Sequence, residues 1–397
     1  MLPRALDESW VSVLDVVLAE LRAPKLAETA RLAPKLVALS KAYNAGVAGQ
    51  DVAPALPLEA RVAFSFARDV PKAAGAVREL VASKVLALPT DRPLRILDLG
   101  AGLGAMTWGI VRALEVSGAR GEVTSLLVDE DPKALAAAAA IARARAKVGS
   151  EAVTLGIQTR TGRVGVGMGL GRFDVVILGQ VLSEMDRDAG AETRITSHAA
   201  VLQDLVTNAL EPEGALVVVE PALRDRSRHL HAVRDRVLAA SANVTLFAPC
   251  LHRAPCPALA NEGDWCHDDL AVDLPPWLVP LARAAGLRYQ GLTFAYLVLR
   301  RDARSLAAMA GSRAEATHLR VVSDRFVTKG KQELFGCTHE GKRVRLRLLD
   351  RDATAHNAAW ATLKRGDVVT LTATEEPPID ERGRISPHAV IDAPVVA

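Results

Sequence analysis

Four cysteines are the residues of this chain best suited to chemistry. Cys250, Cys256, Cys266 and Cys337 are spaced C-x5-C-x9-C-x70-C, and the sequence holds no others. The first three sit in polar, proline-broken surroundings, Ala248-Pro249-Cys250-Leu251-His252-Arg253-Ala254-Pro255-Cys256-Pro257 and Asp264-Trp265-Cys266-His267, which do not read as core strand. In a reducing cytosol paired cysteines seldom form disulfides, so metal ligation is the expected use. Thiolates hold both zinc and iron–sulfur clusters, and neither spacing is the C-x2-C of a zinc ribbon, so both remain open on spacing alone.

A second constellation begins at Leu94-Arg95-Ile96-Leu97-Asp98-Leu99-Gly100-Ala101-Gly102-Leu103-Gly104-Ala105. It reads as strand, glycine loop and helix. Gly100, Gly102 and Gly104 suit a place where the backbone needs unusual dihedrals or must approach a cofactor closely. Gly100, Gly102 and Ala105 satisfy the dinucleotide pattern G-x-G-x-x-A, so a nicotinamide- or flavin-dependent oxidoreductase must be weighed. Asp98, just before the loop, instead resembles the first motif of class I methyltransferases, where the loop accommodates the methionine part of S-adenosylmethionine. Val123 to Val128 forms a second strand ending at Asp129, whose carboxylate can accept the ribose hydroxyls in either cofactor reading. Asp131-Pro132 then reads as N-cap and first residue of an alanine-rich helix.

Those residues need a scaffold. Further strands are expected at Ala152 to Ile157, Phe173 to Leu178 and Ala215 to Glu220, with Phe294 to Arg300 as a last, antiparallel strand of a doubly wound sheet. After the fourth strand, Gln180 and Glu184 stand where such sheets place ligand contacts, although an acid there also suits a helix start. No Asn-Pro-Pro-Tyr signature of base-amine methyltransferases occurs, and the catalytic residue stays unassigned. Upstream, Leu14, Val17, Leu18 and Leu21 follow Trp10 at helical spacing, Pro24, Pro54 and Pro57 punctuate, and Phe64 to Leu80 is a further helix. Arg61, Arg68, Lys72 and Arg78 read there as a solvated face.

Half of the 397 residues are hydrophobic and 24% charged, the balance of a globular protein of two or three domains. No apolar run approaches the roughly 20 residues of a membrane span, and the N-terminus reads as lacking a signal or transit segment, so a cytoplasmic protein without membrane contact is expected. The formal net charge of +3 is too small to imply a nucleic-acid partner. Oligomeric state is not legible.

Several motifs in order resemble the methyltransferase-like family of small-ribosomal-subunit proteins, whose members include bacterial relatives of the mitochondrial assembly protein. These are Leu97-Asp98-Leu99-Gly100-Ala101-Gly102, Val181-Leu182-Ser183-Glu184, Val219-Glu220-Pro221, Ala248-Pro249-Cys250-x-His252-x-x-x-Cys256-Pro257, Trp265-Cys266-His267, and Lys329-Gly330-Lys331 followed by Cys337. The chain departs from the family at Ala222-Leu223-Arg224, where relatives often carry a glycine-containing loop, and at Asp268, which replaces an aromatic. The resemblance implies a class I methyltransferase fold and S-adenosylmethionine held around Asp98, Gly100, Gly102, Gly104, Asp129 and Gln180. It also implies a 4Fe–4S cluster on Cys250, Cys256, Cys266 and Cys337, and a role in assembly of the small ribosomal subunit. Active methylation of RNA is the alternative role, with the oxidoreductase a third.

The expected organisation is a helical region over 1–90, a Rossmann-like domain over 91–305 with a cysteine-rich insertion at 248–268, and a β-rich, barrel-like domain over 317–397. Strands are expected there at Leu319 to Val322, Lys342 to Leu349 and Asp367 to Thr372. Between His318 and Arg351 nine Lys or Arg face four Asp or Glu, an excess larger than that of the whole chain. Arg343, Arg345 and Arg347 alternate with apolar residues, placing three guanidinium groups on one strand face, suited to successive phosphates. Together with the resemblance, this predicts contact with ribosomal RNA. A second basic cluster, Arg224, Arg226, Arg228, Arg234 and Arg236, is expected to extend that surface.

Overall fold

The computed structural model describes residues 4–45, 57–149, 152–309, 316–373 and 377–392; Pro54 lies outside them. The protein is mixed α/β with two sheets, one of eight strands and one of six. Contacts divide it into two compact units: Met1–Gly165, Val176–Gly179 and Leu270–Leu292 form the first, and Val166–Val175, Gln180–Asp269 and Thr293–Ala397 the second.

The first unit opens with α1 (Ser9–Glu20), which buries Trp10, Val13, Leu14, Val17 and Leu18 on one face, as the apolar spacing predicts. Helix α2 (Thr29–Ala45) follows. A short α3 (Leu58–Ala60) runs through a π-turn over Arg61–Ser65 into α4 (Phe66–Ala82). The basic residues here are not a solvated face. Lys72 and Arg78 are buried. Lys72 pairs with Asp69 at 2.6 Å, and Arg78 donates to the Gly75 carbonyl at 2.8 Å and approaches Glu79 at 3.4 Å. A buried cation is tolerated only when paired in this way.

Next come β1 (Leu94–Leu99), α5 (Ala105–Val116), β2 (Gly121–Asp129), α6 (Pro132–Ala146) and β3 (Val153–Thr161). The strands run parallel in the order β3-β2-β1, with Asp98 opposite Leu127 and Gly121 opposite Val153. All but one residue of β1 are buried, as a strand covered on both faces requires. Gly109 lets α5 approach α4 closely, since a Cβ there would lie 2.3 Å from the Val70 carbonyl oxygen and 2.6 Å from Ala73 Cβ. The Trp10 and Trp108 rings meet edge to face at 5.0 Å.

Strand β4 (Phe173–Gly179) is followed, in the second unit, by α7 (Ala191–Asp204), β5 (Leu210–Pro221), α8 (Arg224–Ala240), β6 (Thr245–Ala248), β7 (Asp268–Leu270) and β8 (Leu292–Arg300). Strand β8 runs antiparallel to β5 with Val219 opposite Tyr296. It is the last strand of this sheet along the chain, as expected, but not its edge, because β6 pairs antiparallel on its other side. At four residues, β6 is too short for a periodic signal.

The smaller sheet comprises β9 (Thr317–Val321), β10 (Phe326–Thr328), β11 (Lys331–Thr338), β12 (Arg343–Leu349), β13 (Val368–Thr372) and β14 (Val390–Asp392). Its order is β10-β11-β9-β13-β14, with β12 also paired to β11. Leu319, Val321, Leu334, Leu346, Leu348, Trp360 and their neighbours form its core. The sequence reading finds β9, β12 and β13 but not β11, whose Lys, Gln, Glu and Gly break the apolar alternation.

Candidate cofactor loop and cysteine cavity

In the first unit the glycine loop joins β1 to α5, and all three predicted glycines have positive φ: 64° at Gly100, 52° at Gly102 and 75° at Gly104. Side chains disfavour that region. Asp98 is fully buried beneath the loop and accepts from the Thr107 amide at 3.1 Å and hydroxyl at 2.9 Å. Burial, with a smaller push from Asp129, raises its carboxyl to about 7 against those hydrogen bonds. Its other oxygen, Oδ1, is buried with no hydrogen-bond partner among the described residues.

Asp129, at the tip of β2, closes the loop. Its Oδ2 accepts the Gly102 amide at 2.7 Å and its Oδ1 the Asp131 amide at 2.8 Å. Both oxygens keep a free lone pair, so a ribose diol remains within their capacity. Asp131 caps α6 through the Lys133 amide at 2.9 Å.

Arg61 was not legible as a site residue. From the π-turn it reaches Asp131 at 3.3 Å, and a Cβ on Gly102 would stand 2.7 Å from its terminal Nη2. A guanidinium thus lies against the loop. The π-turn itself, a distortion frequent at functional sites, gives no sequence signal that periodicity detects.

In the second unit Gln180 has φ 62°, and its amide donates to the Val219 carbonyl at 2.6 Å. Buried Glu220, at the end of β5, accepts the Leu182 amide at 2.9 Å and the Ser183 amide at 3.3 Å. Burial raises its carboxyl to about 7. Glu220 therefore shapes the Gln180–Ser183 turn, a role its sequence position does not announce. Glu184 is no helix-start acid: it lies in a turn before α7 and pairs with Arg187.

All four cysteines line one cavity in the second unit, beside His252, Tyr296 and Arg320. Cys250 follows β6, Cys256 and Cys266 lie in the insertion, and Cys337 comes from β11. The insertion has little regular structure and is tied by arginines of α8. Arg228 donates to the carbonyls of Ala258, Asn261 and Asp264 at 2.9, 2.6 and 2.7 Å. Arg234, wholly buried, donates to those of Ala254 and His252 at 2.7 and 2.5 Å and pairs with Asp235, which accepts the Cys256 amide at 2.8 Å. Arg228 and Arg234 are thus committed inward, and the expectation that they extend a basic surface is corrected.

Across the cavity, Arg320 donates to the Pro249 carbonyl at 3.0 Å and the Tyr296 hydroxyl at 2.8 Å. His252 Nδ1 bonds the Ala254 carbonyl at 3.1 Å and therefore carries the proton, which leaves Nε2 to accept from the Cys337 thiol at 3.4 Å. The β11–β12 turn presses on the insertion, for a Cβ on Gly341 would meet Ala254 Cβ at 2.7 Å.

Burial and then the neighbouring cysteines push Cys256 and Cys266 up to about 12 and Cys337 upward too. The site resists being a set of thiolates unless a cation joins it. The four thiols share the cavity lining with His231, His252 and His267, and Arg320 stands beside them. Among the described residues, no three His, Cys, Asp or Glu side chains are grouped so as to hold a metal ion.

On β12, Arg343, Arg345 and Arg347 share one face, as their alternation predicts, but none is an isolated charge. Arg343 pairs with Asp264 at 2.8 Å, and Arg345 and Arg347 both approach Glu333, at 3.6 and 2.8 Å. No helix among the described residues is long and apolar enough to cross a membrane.

Strand, glycine loop, helix and a second parallel strand ending in an acid make this a Rossmann-like α/β protein. Residues 59–369 match the family described as mitochondrial small ribosomal subunit Rsm22, and the chain belongs to that family. Comparison with curated proteins gives no match. Among solved structures, the chain is similar to a candidate class I S-adenosylmethionine-dependent methyltransferase from Listeria monocytogenes, at 14% identity and TM-score 0.37 over 75% of this chain and 88% of that one. It is also similar to the plantazolicin methyltransferase BpumL with S-adenosylhomocysteine (10%, TM-score 0.35, 70% and 98%). A third is a precorrin-6y C5,15-methyltransferase from Geobacter metallireducens (15%, 0.28, 56% and 85%). Likenesses this loose carry no argument about function.

Proposed function

We propose that this protein is an S-adenosylmethionine-binding factor of the small ribosomal subunit, cytoplasmic, with a 4Fe–4S centre on Cys250, Cys256, Cys266 and Cys337 and ribosomal RNA as its partner. The observation that carries the proposal is the reach of the family match, which embraces both the glycine loop and all four cysteines. The cofactor loop is the part with the best physical support: its positive-φ glycines form the tight turn between β1 and α5, and Asp98 Oδ1 is buried without a hydrogen-bond partner among the described residues.

In this reading Gly100, Gly102 and Gly104 admit the methionine part of the cofactor and Asp129 takes the ribose. Bound S-adenosylmethionine supplies a sulfonium methyl open to displacement. Methyl transfer to RNA is the second reading, and it needs an aligned acceptor and a base. Neither raised carboxyl is well placed to be that base, since both are buried and Asp98 is bonded to Thr107 and Glu220 to the Leu182 and Ser183 amides. The oxidoreductase reading is favoured by nothing beyond glycine spacing.

The cluster reading rests on the cavity that all four cysteines line, together with the family resemblance. The cysteines would hold the group between the insertion and β11, crosslinking segments seventy residues apart in sequence. Zinc remains the competitor, and it needs four donors converging on one point.

The test is gradient sedimentation of a lysate with tagged protein, followed by sequencing of crosslinked RNA. Co-migration with small-subunit particles and crosslinks to their ribosomal RNA support the reading; migration as free protein at low salt without such crosslinks overturns it.

A further inference from the structure

We infer that one face of the C-terminal sheet is a stacking platform for unpaired RNA, with Phe326 as the aromatic surface for a base. This rests on the RNA-contact reading above and specifies which form of RNA it concerns.

The register defines the face. Phe326 lies opposite Glu333, Phe335 opposite Arg345, Glu333 opposite Arg347, and Cys337 opposite Arg343. Paired residues project to the same side of a sheet, so Phe326, Lys331, Phe335, Arg343, Arg345 and Arg347 share one side. Leu334, Leu346 and Leu348 fill the other side and form the core.

Phe326 is 51% exposed on a three-residue edge strand. An exposed aromatic there contributes nothing to the core, and a hydrophobic edge is ordinarily avoided. It is held at a defined angle: its ring meets Phe335 edge to face, 6.3 Å apart at 86°. The Arg343 guanidinium lies 5.1 Å from the Phe335 ring centre.

Charge selects the partner. Four cations on this face surround a single acid of the same strands, Glu333, which Lys331, Arg345 and Arg347 all approach, at 3.3, 3.6 and 2.8 Å. Asp264 pairs with Arg343 from the insertion. The side chain of Arg345 remains 52% exposed, and Lys329 at the adjoining hairpin turn is exposed as well. Cations beside an outward aromatic fit a sugar-phosphate chain whose bases are free to stack. A paired helix offers phosphates but no open base face, which leaves Phe326 without a use.

The experiment measures fluorescence anisotropy of full-length protein with an unpaired RNA of about 12 nucleotides and a duplex of equal length. Wild type is expected to favour the unpaired RNA. Phe326→Ala should weaken that binding roughly 5- to 100-fold, the size of one stacking contact, with the salt slope unchanged. Phe326→Tyr should restore it, and Phe326→Leu should not. Arg345→Gln should weaken both RNAs and reduce the salt slope by about 1. Unchanged binding in Phe326→Ala with weakened binding in Arg345→Gln overturns the platform and leaves the RNA-contact reading standing. Equal or tighter binding of duplex by wild type also overturns the platform. Binding of neither RNA by wild type overturns both.

Discussion

Arg61 and Gly102 are forty-one positions apart in sequence and in contact in the fold: the Arg61 guanidinium occupies the space a side chain on residue 102 would fill, with Asp131 3.3 Å from its Nη1. A cation so placed at a glycine loop can meet the carboxylate of a ligand that the loop admits. S-adenosylmethionine carries such a group on its methionine end.

If Arg61 reads that carboxylate, Arg61→Ala should lower the affinity for S-adenosylhomocysteine roughly 10- to 100-fold, the range of one charge-assisted hydrogen bond. Affinity for methylthioadenosine, which lacks the amino-acid end, should not change. Titration calorimetry with both ligands checks this, and equal losses for the two would mean that Arg61 only supports the loop.

Gly109→Ala probes the crossing of α4 and α5. With the added Cβ 2.3 Å from the Val70 carbonyl oxygen, the helices must separate, and overpacking of this kind costs about 1–3 kcal/mol. The higher helix propensity of alanine returns at most about 1 kcal/mol. A lowered denaturation midpoint is expected; an unchanged or raised one would show that the crossing is slack.

His198 and His229 supply a pH dependence. His198 Nδ1 lies 2.8 Å from His229 Nε2, and Asp186 Oδ2 is 3.5 Å from His198 Nε2. Burial, then His198 and Arg194, lower His229 to about 4 from its ordinary 6.5, against Asp225. His198 is lowered too, by burial and Arg194 and against Asp186. A depressed histidine means that the unfolded chain binds the proton more readily. The stability this pair contributes is therefore present above 6.5 and is lost as pH falls toward 4. Thermal melts of wild type and His229→Gln should differ most near neutral pH and converge under acid; a gap that widens on acidification would contradict the assignment.

The scaffold of the glycine loop was legible because it depends on local signals. Asp98, the three glycines, Asp129 and the Asp131-Pro132 cap sit within a few dozen residues and follow the order a βαβ unit imposes. Four cysteines in so cysteine-poor a chain flagged a common site, and the fold brings them to one cavity. What escaped depends on distant contacts. Arg61, Glu220 and Arg234 have ordinary neighbours in sequence, and their roles arise from a loop, a turn and an insertion that lie elsewhere along the chain. Nor does alternation reveal ion pairing, so Arg343, Arg345 and Arg347 read as bare phosphate contacts when each already faces a carboxylate.

The cysteine cavity separates two kinds of anchor. Arg228 and Arg234 fix the insertion to α8 through backbone carbonyls, independently of any metal, whereas Cys337 is contributed by β11. Under anaerobic purification the wild type should hold iron and sulfide, and Cys337→Ser should lose most of both while keeping its far-ultraviolet dichroism. Its unfolding temperature should fall to that of metal-stripped wild type, because the group that binds only the folded state stabilises it. Arg234→Met should be worse in the stripped state as well, since the Ala254 and His252 carbonyls lose their donor at once. Zinc without sulfide in the wild type would replace the cluster by a single ion. A Cys337→Ser protein with undiminished metal would remove β11 from the site altogether.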